Sequence, residues 1–447
     1  MMSATLKDLL RDAKVELVVA RAEKDPTVIG EVIEHLGSEI RSIRFNAALT
    51  LGELGASAAN SVSPLIDCLE DNDWSICREA TRSLGKIGEA AVDAIPKLAA
   101  LLRDDEVTIR KEAAVSLGRI GVASDVAISS LIGALEDENE EIRTQVAKTL
   151  GIMGQGAHTA IPNLVESLRD QSWTVRTSAA QAIEGIGKGS VEAIPSLVKT
   201  LEDNDWRVRY RSINTLVKIG KPAIPAILQV INHENPIVRK GAVEALGEME
   251  IADPEIIGSI ALLLQDKVEG VRGKAADALR TIGEDAVPTL IESYNVANKD
   301  MKIVIISAIG RMGETAKDAI PNLIGILLNG RTAERVEAAR ALGNIGDLEE
   351  SAVQSLSDAL KDDKSIVRRE AALSIGKLGP GAVSSVTTLV EALSDEKPDV
   401  RWRASEALGK IGVSSPDVTS VLENLVHDEF DYVAEAAEEA LDLISGE

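Results

Sequence analysis

The chain has 447 residues, of which 45% are hydrophobic but only 2% aromatic, so Ala, Leu, Ile and Val must build its core. Its formal net charge of −24 argues against DNA, RNA or anionic lipid as partners, because a phosphate-binding surface needs a local excess of Lys and Arg. No apolar run reaches the ~18 residues of a membrane span and the N-terminus has no secretory core, so we expect a cytoplasmic protein that does not contact membranes.

The first 40 residues are predicted to form capping helices. Apolar residues recur at helical spacing over Leu6–Ala20 and again over Val28–Leu36. Terminal units of a repeat array are atypical because they must present a polar outer face. We therefore assign residues 1–40 to an N-terminal cap.

From position 41 onward the pattern V-R-x-x-A-A-x-A-L-G-x-I-G recurs. Clear copies are Ile109–Gly121, Val238–Glu250, Val367–Gly379 and Val400–Gly412. The first Gly position returns thirteen times, at ten intervals of 33 residues and two of 30. A fixed period of this length is typical of repeat architectures. It predicts an all-α superhelix of about thirteen two-helix units, with the repeats spanning residues 41–430.

Each unit is predicted to contain two helices. The first ends at the second Gly of the pattern, because Gly accepts the left-handed conformation that closes a helix. The second begins at "AIP", since Pro suits the first helical turn. In the two short units, Pro225 and Pro288 follow the first Gly position by eight residues instead of eleven. The deletion thus falls in the loop between the helices.

The C-terminal segment is predicted to be an acidic capping helix. In "VAEAAEEALDLIS" the repeated Arg becomes Ala434, and four acidic residues appear. A polar, charged last helix is what the end of a repeat array requires. Residues 431–447 are assigned to this cap.

Two charged positions recur with the repeat: Arg in ten units and, six residues earlier, Asp in nine. Opposite charges once per unit predict an Arg–Asp ladder along the stack, in which the guanidinium also caps helix carbonyls. A calcium site is disfavoured, because the tight Gly turn is missing and an Arg is always nearby. The ladder residues singled out are Asp104, Asp137, Asp170, Asp203, Arg110, Arg143, Arg176 and Arg209.

The motif "LEDNDW" occurs twice, 132 residues apart, and ends in Trp74 and Trp206. Because that distance is four units of 33, the motif is one fixed position of the repeat. We expect Asp73 and Asp205 to cap the following helix, with the indoles covering the junction to the preceding unit. Trp402 occupies a different position and is expected to be exposed.

The sequence predicts no catalytic, cofactor-binding or metal-ligating residues. Its four histidines share no spacing, and no H-E-x-x-H, C-x-x-C, G-x-S-x-G or P-loop pattern occurs. Cys68 and Cys77 are interpreted as small apolar residues, with a reactive thiol as the alternative. We therefore expect a protein that is not an enzyme.

The repeat unit D-x-x-x-x-V-R-x-x-A-A-x-A-L-G-x-I-G resembles the short HEAT repeat of the phycobilisome-lyase type, from about Arg41 to the C-terminus. The resemblance implies a right-handed superhelix with the first helices outside and the second helices on the concave face. It favours a scaffold that binds a partner protein. The alternative is a bilin-lyase-like or other protein-modification factor. Di-iron hydroxylases of this class use several His–Glu pairs, whereas this chain has one, His233–Glu234.

Partner-binding positions are predicted on the second helices. Counted from the "AIP" Pro, positions +2, +3 and +6 are apolar, whereas +1 and +4 lie on the opposite side and vary between units. The residues predicted at the groove are Asp67, Lys97, Asn163, Glu166, Ser196, Lys199, Gln229, Glu292, Asn322, Asp358 and Glu391. This polar, mildly acidic set suits a protein with a basic or polar surface, bound by a monomer or within a hetero-complex. The repeat departs most from its pattern over residues 217–330, and a bend or softer hinge is predicted around 290–330.

Overall fold

The computed structural model describes residues 5–187, 189–346 and 349–445. Within these residues it contains α-helices and short 3-10 turns and no β-strand. None of the described helices combines the length and the apolar character that crossing a bilayer would need. The prediction of an all-α solenoid built from tandem two-helix repeats is confirmed.

Three short helices precede the repeats: α1 (Leu6–Arg11), α2 (Val15–Lys24) and α3 (Thr27–Glu34). The prediction of one helix over Leu6–Ala20 was wrong. The chain breaks at Ala13, whose φ of 57° lies in the left-handed region that a continuing helix cannot contain. Helices α1 and α2 pack on the first helix of the repeats, α4 (Arg41–Leu54).

In the described parts of the chain, thirteen helices occupy the first-helix position of the repeat. They are α4, α6 (Trp74–Ile87), α8 (Val107–Ile120), α10 (Glu140–Met153), α12 (Trp173–Ile186), α14 (Trp206–Ile219), α16 (Pro236–Glu248), α18 (Glu269–Ile282), α20 (Lys299–Met312), α22 (Thr332–Ile345), α24 (Ser365–Leu378), α26 (Pro398–Ile411) and α28 (Asp431–Ser445). All but α16 and α28 have 14 residues. The 30-residue units therefore keep full-length first helices, and the missing residues come from the loops.

Shorter second helices alternate with these first helices. They are α5 (Val62–Asp67), α7 (Ile95–Ala100), α9 (Asp125–Ala134), α11 (Ile161–Ser167), α13 (Ile194–Lys199), α15 (Ile224–Val230), α17 (Pro254–Leu262), α19 (Val287–Val296), α21 (Ile320–Asn329), α23 (Glu350–Ala359), α25 (Val386–Ala392) and α27 (Pro416–Leu425). Several begin with the "AIP" proline in their first turn. Proline is tolerated there because the first helical N–H groups have no intrahelical acceptor.

The chain divides into two compact units, Met1–Ile227 and Leu228–Glu447. Within each unit, successive first helices pack side by side, and each second helix packs on the first helix that follows it. The core lies between the two helix layers. In α8, for example, Ile109, Ala113, Leu117 and Ile120 are all buried, as the helical spacing of these residues predicts.

Eleven first helices end at a glycine with φ between 55° and 88°. Only Gly121 and Gly412 adopt the left-handed helical conformation that was predicted for this position. Gly88 instead combines φ 77° with ψ −143°, a region open essentially to Gly alone, and a 3-10 turn begins at once. The loop after a first helix thus has two forms. The form with a 3-10 turn leads into the second helices that begin with "AIP".

First helices approach each other closely at the first Gly of the pattern. A Cβ added to Gly85 would lie 2.5 Å from Oγ of Ser116 on the next first helix. That hydroxyl donates a hydrogen bond of 2.8 Å to the carbonyl of Thr81. Ser83 and Thr149 make the same bond to the carbonyls of Ala48 and Ala114. Small residues therefore set the spacing of this helix layer.

Candidate functional site

Most ladder arginines join two successive junctions, a junction being the turn between a second helix and the next first helix. In Arg110, Nε and Nη2 donate to the carboxylate of Asp137 in the following junction, at 2.8 and 3.1 Å. Its Nη1 donates to the carbonyl oxygens of Asp104 and Asp105 in the preceding junction, at 2.9 and 3.1 Å. The guanidinium therefore caps one helix end while it binds the next repeat.

Among the described residues an arginine–aspartate pair of this kind occurs four times in each unit, always 27 residues apart, although Arg335 contacts Asp362 through Nη2 alone. The pairs are Arg44–Asp71, Arg110–Asp137, Arg143–Asp170 and Arg176–Asp203 in the first unit, and Arg239–Asp266, Arg335–Asp362, Arg368–Asp395 and Arg401–Asp428 in the second. The arginine of one repeat thus pairs with the aspartate of the following junction. Seven of these arginines also donate to the carbonyl oxygen six residues earlier, which belongs to Asp in five of them, to Ser38 for Arg44 and to His233 for Arg239; Arg335 donates to the carbonyl of Gly330 instead.

Two of the eight predicted ladder residues are not in such a pair in the described part of the chain. Asp104 would face position 77, which is Cys, and its carboxylate accepts the N–H of Glu106 at 2.8 Å. Arg209 donates to the carbonyl oxygens of Asp203 and Asn204, at 2.6 and 3.1 Å. The other six predicted residues form three ladder pairs: Arg110–Asp137, Arg143–Asp170 and Arg176–Asp203.

The ladder carboxylates are fully used by the protein. Asp266 accepts two hydrogen bonds from Arg239 and one from the N–H of Val268 at 2.8 Å. These hydrogen bonds, the one from Arg239 above all, hold the pKa of Asp266 below its usual value. In the described residues no three His, Cys, Asp or Glu side chains are placed to hold a metal ion. The ladder side chains thus satisfy one another and the helix ends, and their structural role stays a prediction.

The aspartates of "LEDNDW" cap the following helix. Oδ1 of Asp73 accepts the N–H of Ser75 at 2.9 Å, and Asp205 does the same for Arg207. Asp73 also pairs with Arg41 of the preceding repeat. The hydrogen bonds from Arg41 and Ser75 lower the pKa of Asp73 to about 2. The motif is thus a helix start and a contact between repeats.

The tryptophans lie differently from the prediction. Trp206 is 63% exposed, and Trp173 packs under the guanidinium of Arg207 from the next repeat, 3.4 Å from the ring centroid. Trp402, which was expected to be exposed, is half-buried and makes an edge contact with Tyr432 at 5.5 Å. Trp402, one residue past the ladder arginine, thus faces the next repeat, and the first-turn tryptophans differ: Trp173 contacts the next repeat, whereas Trp206 is largely exposed.

Both cysteines are buried. Burial raises the pKa of each thiol, Cys68 and Cys77, to about 11. A thiol with such a pKa is protonated near neutral pH, and the thiolate is the nucleophilic form. The two residues therefore act as small apolar core side chains.

The predicted partner-binding residues lie on the second helices, on what we call the second-helix face. The first unit contributes Asp67, Lys97, Asn163, Glu166, Ser196 and Lys199, and the second contributes Gln229, Glu292, Asn322, Asp358 and Glu391. All are exposed except Asn163 and Ser196, which are half-buried. Some already have partners: Lys97 pairs with Glu70, and Glu391 with Lys361 at 2.8 Å.

The ladder is replaced by other contacts around α20. Lys302 stands at the arginine position, and its Nζ lies 4.6 Å from the centroid of the Tyr294 ring. The hydroxyl of Tyr294 donates to Oε2 of Glu334 at 3.0 Å, and Glu334 is only 6% exposed. The aspartate position of the repeat is occupied here by Val296 and Asn329, and α19 and α21 continue as α-helix through these two residues.

These residues line a cavity of about 480 Å³, which we call the Tyr294 pocket. Ile291, Leu323 and Ile326 supply apolar walls. Its polar lining consists of Tyr294, Lys302, Glu334 and the amides Asn295, Asn322 and Asn329. Burial, and then the hydrogen bond to Glu334, raise the pKa of Tyr294 to about 12, so the phenol remains a donor.

Asn322 was among the residues predicted from the sequence, whereas Tyr294 and Glu334 were not. The available signal was the loss of the ladder residues at positions 296, 302 and 329. That loss marks the place but does not identify the side chains that replace the ladder, because they are 40 residues apart in the chain.

Tandem two-helix repeats, stacked through a ladder and carrying variable polar positions on one helix layer, define an α-solenoid repeat protein. The chain belongs to the HEAT-repeat family. The family model described as HEAT repeats matches residues 31–118, 62–135, 108–184, 161–229, 224–300, 287–376 and 365–442. The narrower phycobilisome-lyase type stays a prediction.

Solved helical proteins resemble the chain at low identity. An engineered protein is 21% identical, with 93% of this chain and 98% of that one covered and a TM-score of 0.35. Importin beta is 14% identical over 96% and 71%, with a TM-score of 0.49. Kap95p, in a structure concerned with its binding to RanGDP, is 12% identical over 96% and 74%, with a TM-score of 0.47. No curated protein matches the chain.

Proposed function

We propose that the chain is a non-enzymatic scaffold that binds a partner protein through the second-helix face. The observation that carries this proposal is the contrast between neighbouring positions of one short helix. In α7, Leu98 and Ala99 are buried in the stack, whereas Lys97 is exposed. Buried positions build the repeats, so the exposed, variable positions are free to define a partner.

The charges of the face indicate the kind of partner. Among its five residues in the second unit, Glu292, Asp358 and Glu391 are acidic and none is basic. The first unit contributes two acidic and two basic residues to the face. Complementary charge favours encounter and correct register, so the second unit suits a basic surface. The net charge of −24 acts in the same direction.

The Tyr294 pocket would give this face an anchor point. Binding energy at protein interfaces concentrates where one side chain fills a well-packed pocket. The pocket combines apolar walls with amide groups that can bind a peptide backbone, and Asn322 belongs both to it and to the predicted face. An aliphatic or aromatic side chain of the partner fits this chemistry.

Site-specific photo-cross-linking tests the proposal. A benzophenone amino acid placed at Asn322 or Glu391 of the full chain reports on the second-helix face. The same group at Asp277, an exposed residue of the first helix α18, is the matched control. We expect one partner protein to be cross-linked from the two test positions and not from Asp277. Cross-links found only from first helices would refute the proposal.

Charge reversal then measures the contribution of the face. With the partner identified, Glu292→Lys combined with Asp358→Lys should weaken binding at least tenfold, and more strongly at low salt. Asp277→Lys reverses the same kind of charge on a first helix and should change the affinity less than twofold. Equal effects of the two changes would show that only the net charge matters.

A further inference from the structure

Helix α20 differs from its neighbours on its outer side as well. At the positions one, two and five residues after Lys302 it carries Ile303, Val304 and Ser307, all half-buried. The positions equivalent to Val304 and Ser307 carry long or charged side chains in the neighbouring first helices. They are Lys274 and Asp277 in α18, and Glu337 and Arg340 in α22. Because the side chains of α20 are short, a cavity of about 330 Å³ lies against it, lined by residues of all three helices.

The walls of this cavity are apolar and its charged groups are mostly arginines. Leu264, Val304 and Ala308 supply apolar surface, and Arg272, Arg311 and Arg340 contribute guanidinium groups. Arg340 is already neutralised, since its Nη1 and Nε donate to Glu337 and Glu370 at 2.6 and 2.9 Å. Two cations therefore remain at the cavity.

Arg272 is a ladder arginine whose partner position has changed. Its Nη1 donates to the carbonyl of Asp266 at 2.8 Å, as in the complete ladder steps. The next aspartate position is Val296, and Arg272 pairs with no carboxylate among the described residues. Arg311 is exposed and likewise makes no ion pair with any residue that the structure describes.

The preceding step of the ladder shows which group suits this guanidinium. Nε and Nη2 of Arg239 donate to the two carboxylate oxygens of Asp266 at 2.6 and 2.8 Å. Arg272 has the same backbone anchor, but no aspartate occupies the equivalent edge of its guanidinium in the described residues. A planar carboxylate matches that edge with two parallel hydrogen bonds.

We propose that the cavity between α18, α20 and α22 binds a carboxylate carried on an aliphatic chain. The carboxylate pairs with Arg272, Arg311 adds a second positive charge at the cavity, and the chain lies against Val304 and Ala308. The ligand is a glutamate side chain or C-terminus of a peptide, or a free short-chain acid. This site lies beside first helices and does not depend on the proposed second-helix interface.

Saturation-transfer NMR with the full chain tests the site. The probes are hexanoate, acetate, hexan-1-ol, inorganic phosphate and the peptide acetyl-Leu-Glu-Leu-Glu-amide. We expect hexanoate or the peptide to bind at least tenfold more tightly than acetate, because burial of methylene groups adds to the ion pair. Tighter binding of hexanoate indicates a free acid as the ligand, and tighter binding of the peptide indicates a protein segment.

Two variants locate the binding without removing a structural contact. Arg311→Gln removes an exposed cation, and Ser307→Glu places a competing carboxylate in the cavity. Each should weaken binding at least fivefold, whereas Arg280→Gln, which changes an exposed arginine of α18 outside the cavity, should leave it unchanged. The proposal is overturned if neither hexanoate nor the peptide binds, if hexan-1-ol or phosphate binds more tightly than both, or if the three variants behave alike.

Discussion

Arg176 and Asp203 lie 27 residues apart and form two parallel hydrogen bonds, of 2.6 and 2.8 Å, between neighbouring repeats. Both side chains are largely buried, with 16% and 10% of their surfaces exposed. The same arginine caps the carbonyl of Asp170 in the preceding junction, at 2.8 Å. One side chain therefore connects two junctions, and the stability of each repeat depends on the next.

Removal of a ladder arginine should destabilise the stack. We expect Arg176→Ala to lower the free energy of unfolding by about 2–4 kcal/mol, because it removes both guanidinium hydrogen bonds from the largely buried Asp203 and the one to the carbonyl of Asp170. Arg169→Ala removes an exposed arginine that pairs with Glu166 at 3.3 Å, and should cost less than about 0.5 kcal/mol. Urea unfolding followed by circular dichroism measures both, and equal losses would contradict a structural ladder.

The ladder should weaken in acid. Hydrogen bonds from Arg239 and Arg401 lower the pKa values of Asp266 and Asp428. A carboxyl group with a lowered folded-state pKa stabilises the fold above its unfolded pKa of about 3.9, and this contribution is lost as the pH falls through the folded pKa. The difference in unfolding free energy between wild type and Asp266→Asn should therefore shrink below about pH 4. A difference that is independent of pH would exclude this linkage.

The close approach of first helices can be tested with one methyl group. Gly85→Ala should destabilise by about 1–3 kcal/mol, because its Cβ would lie 2.8 Å from the Cα of Ser116. Gly133→Ala is the matched control, since nothing lies within 4 Å of its added Cβ in the second helix α9. The control should stabilise by about 0.5–1 kcal/mol through helix propensity. Thermal unfolding that shifts in the same direction for both variants would contradict the packing argument.

Residues 290–330 are predicted to exchange amide hydrogens faster than the regular repeats. Two ladder steps are missing there, and the Tyr294–Glu334 hydrogen bond is one of the contacts that replace them. Tyr294→Phe leaves the buried Glu334 short of a donor and should cost about 1–3 kcal/mol. Tyr210→Phe, at a residue that is 51% exposed, is the control. Uniform protection across all repeats would argue against a softer segment.

The purified protein is expected to be colourless and to contain no stoichiometric iron. This prediction separates the scaffold from the lyase-like and hydroxylase-like alternatives. Absorbance above 350 nm and elemental analysis of protein produced in its native host would detect a bound tetrapyrrole or metal. Either one at one equivalent per chain would overturn the scaffold proposal.

Much of the fold could be predicted because its signals are local. Gly88 ends a helix and Pro96 begins another, and each acts through its own backbone geometry. The apolar spacing of α8 identifies its buried side without reference to any other helix. The break of the first helix at Ala13 was missed, because no Gly or Pro marks it.

The Tyr294 pocket and the arginine-lined cavity could not be predicted in the same way. Tyr294 and Glu334 are 40 residues apart, on helices separated by a complete repeat. Arg272 looks like every other ladder arginine in the sequence, and only the fold shows that no described carboxylate faces it. Such features arise where a regular contact is lost and other side chains occupy the space.

The number of repeats, their helical content and the recurring charged positions can be read directly from the sequence. Helix periodicity, Gly termination and Pro initiation operate within a few residues, so one chain records them directly. Which aspartate an arginine binds depends on the three-dimensional arrangement: Arg176 pairs with Asp203, 27 residues later, and caps the carbonyl of Asp170 before it. That choice depends on how far one repeat is displaced from the next, which is set by packing between helices that are distant in the chain.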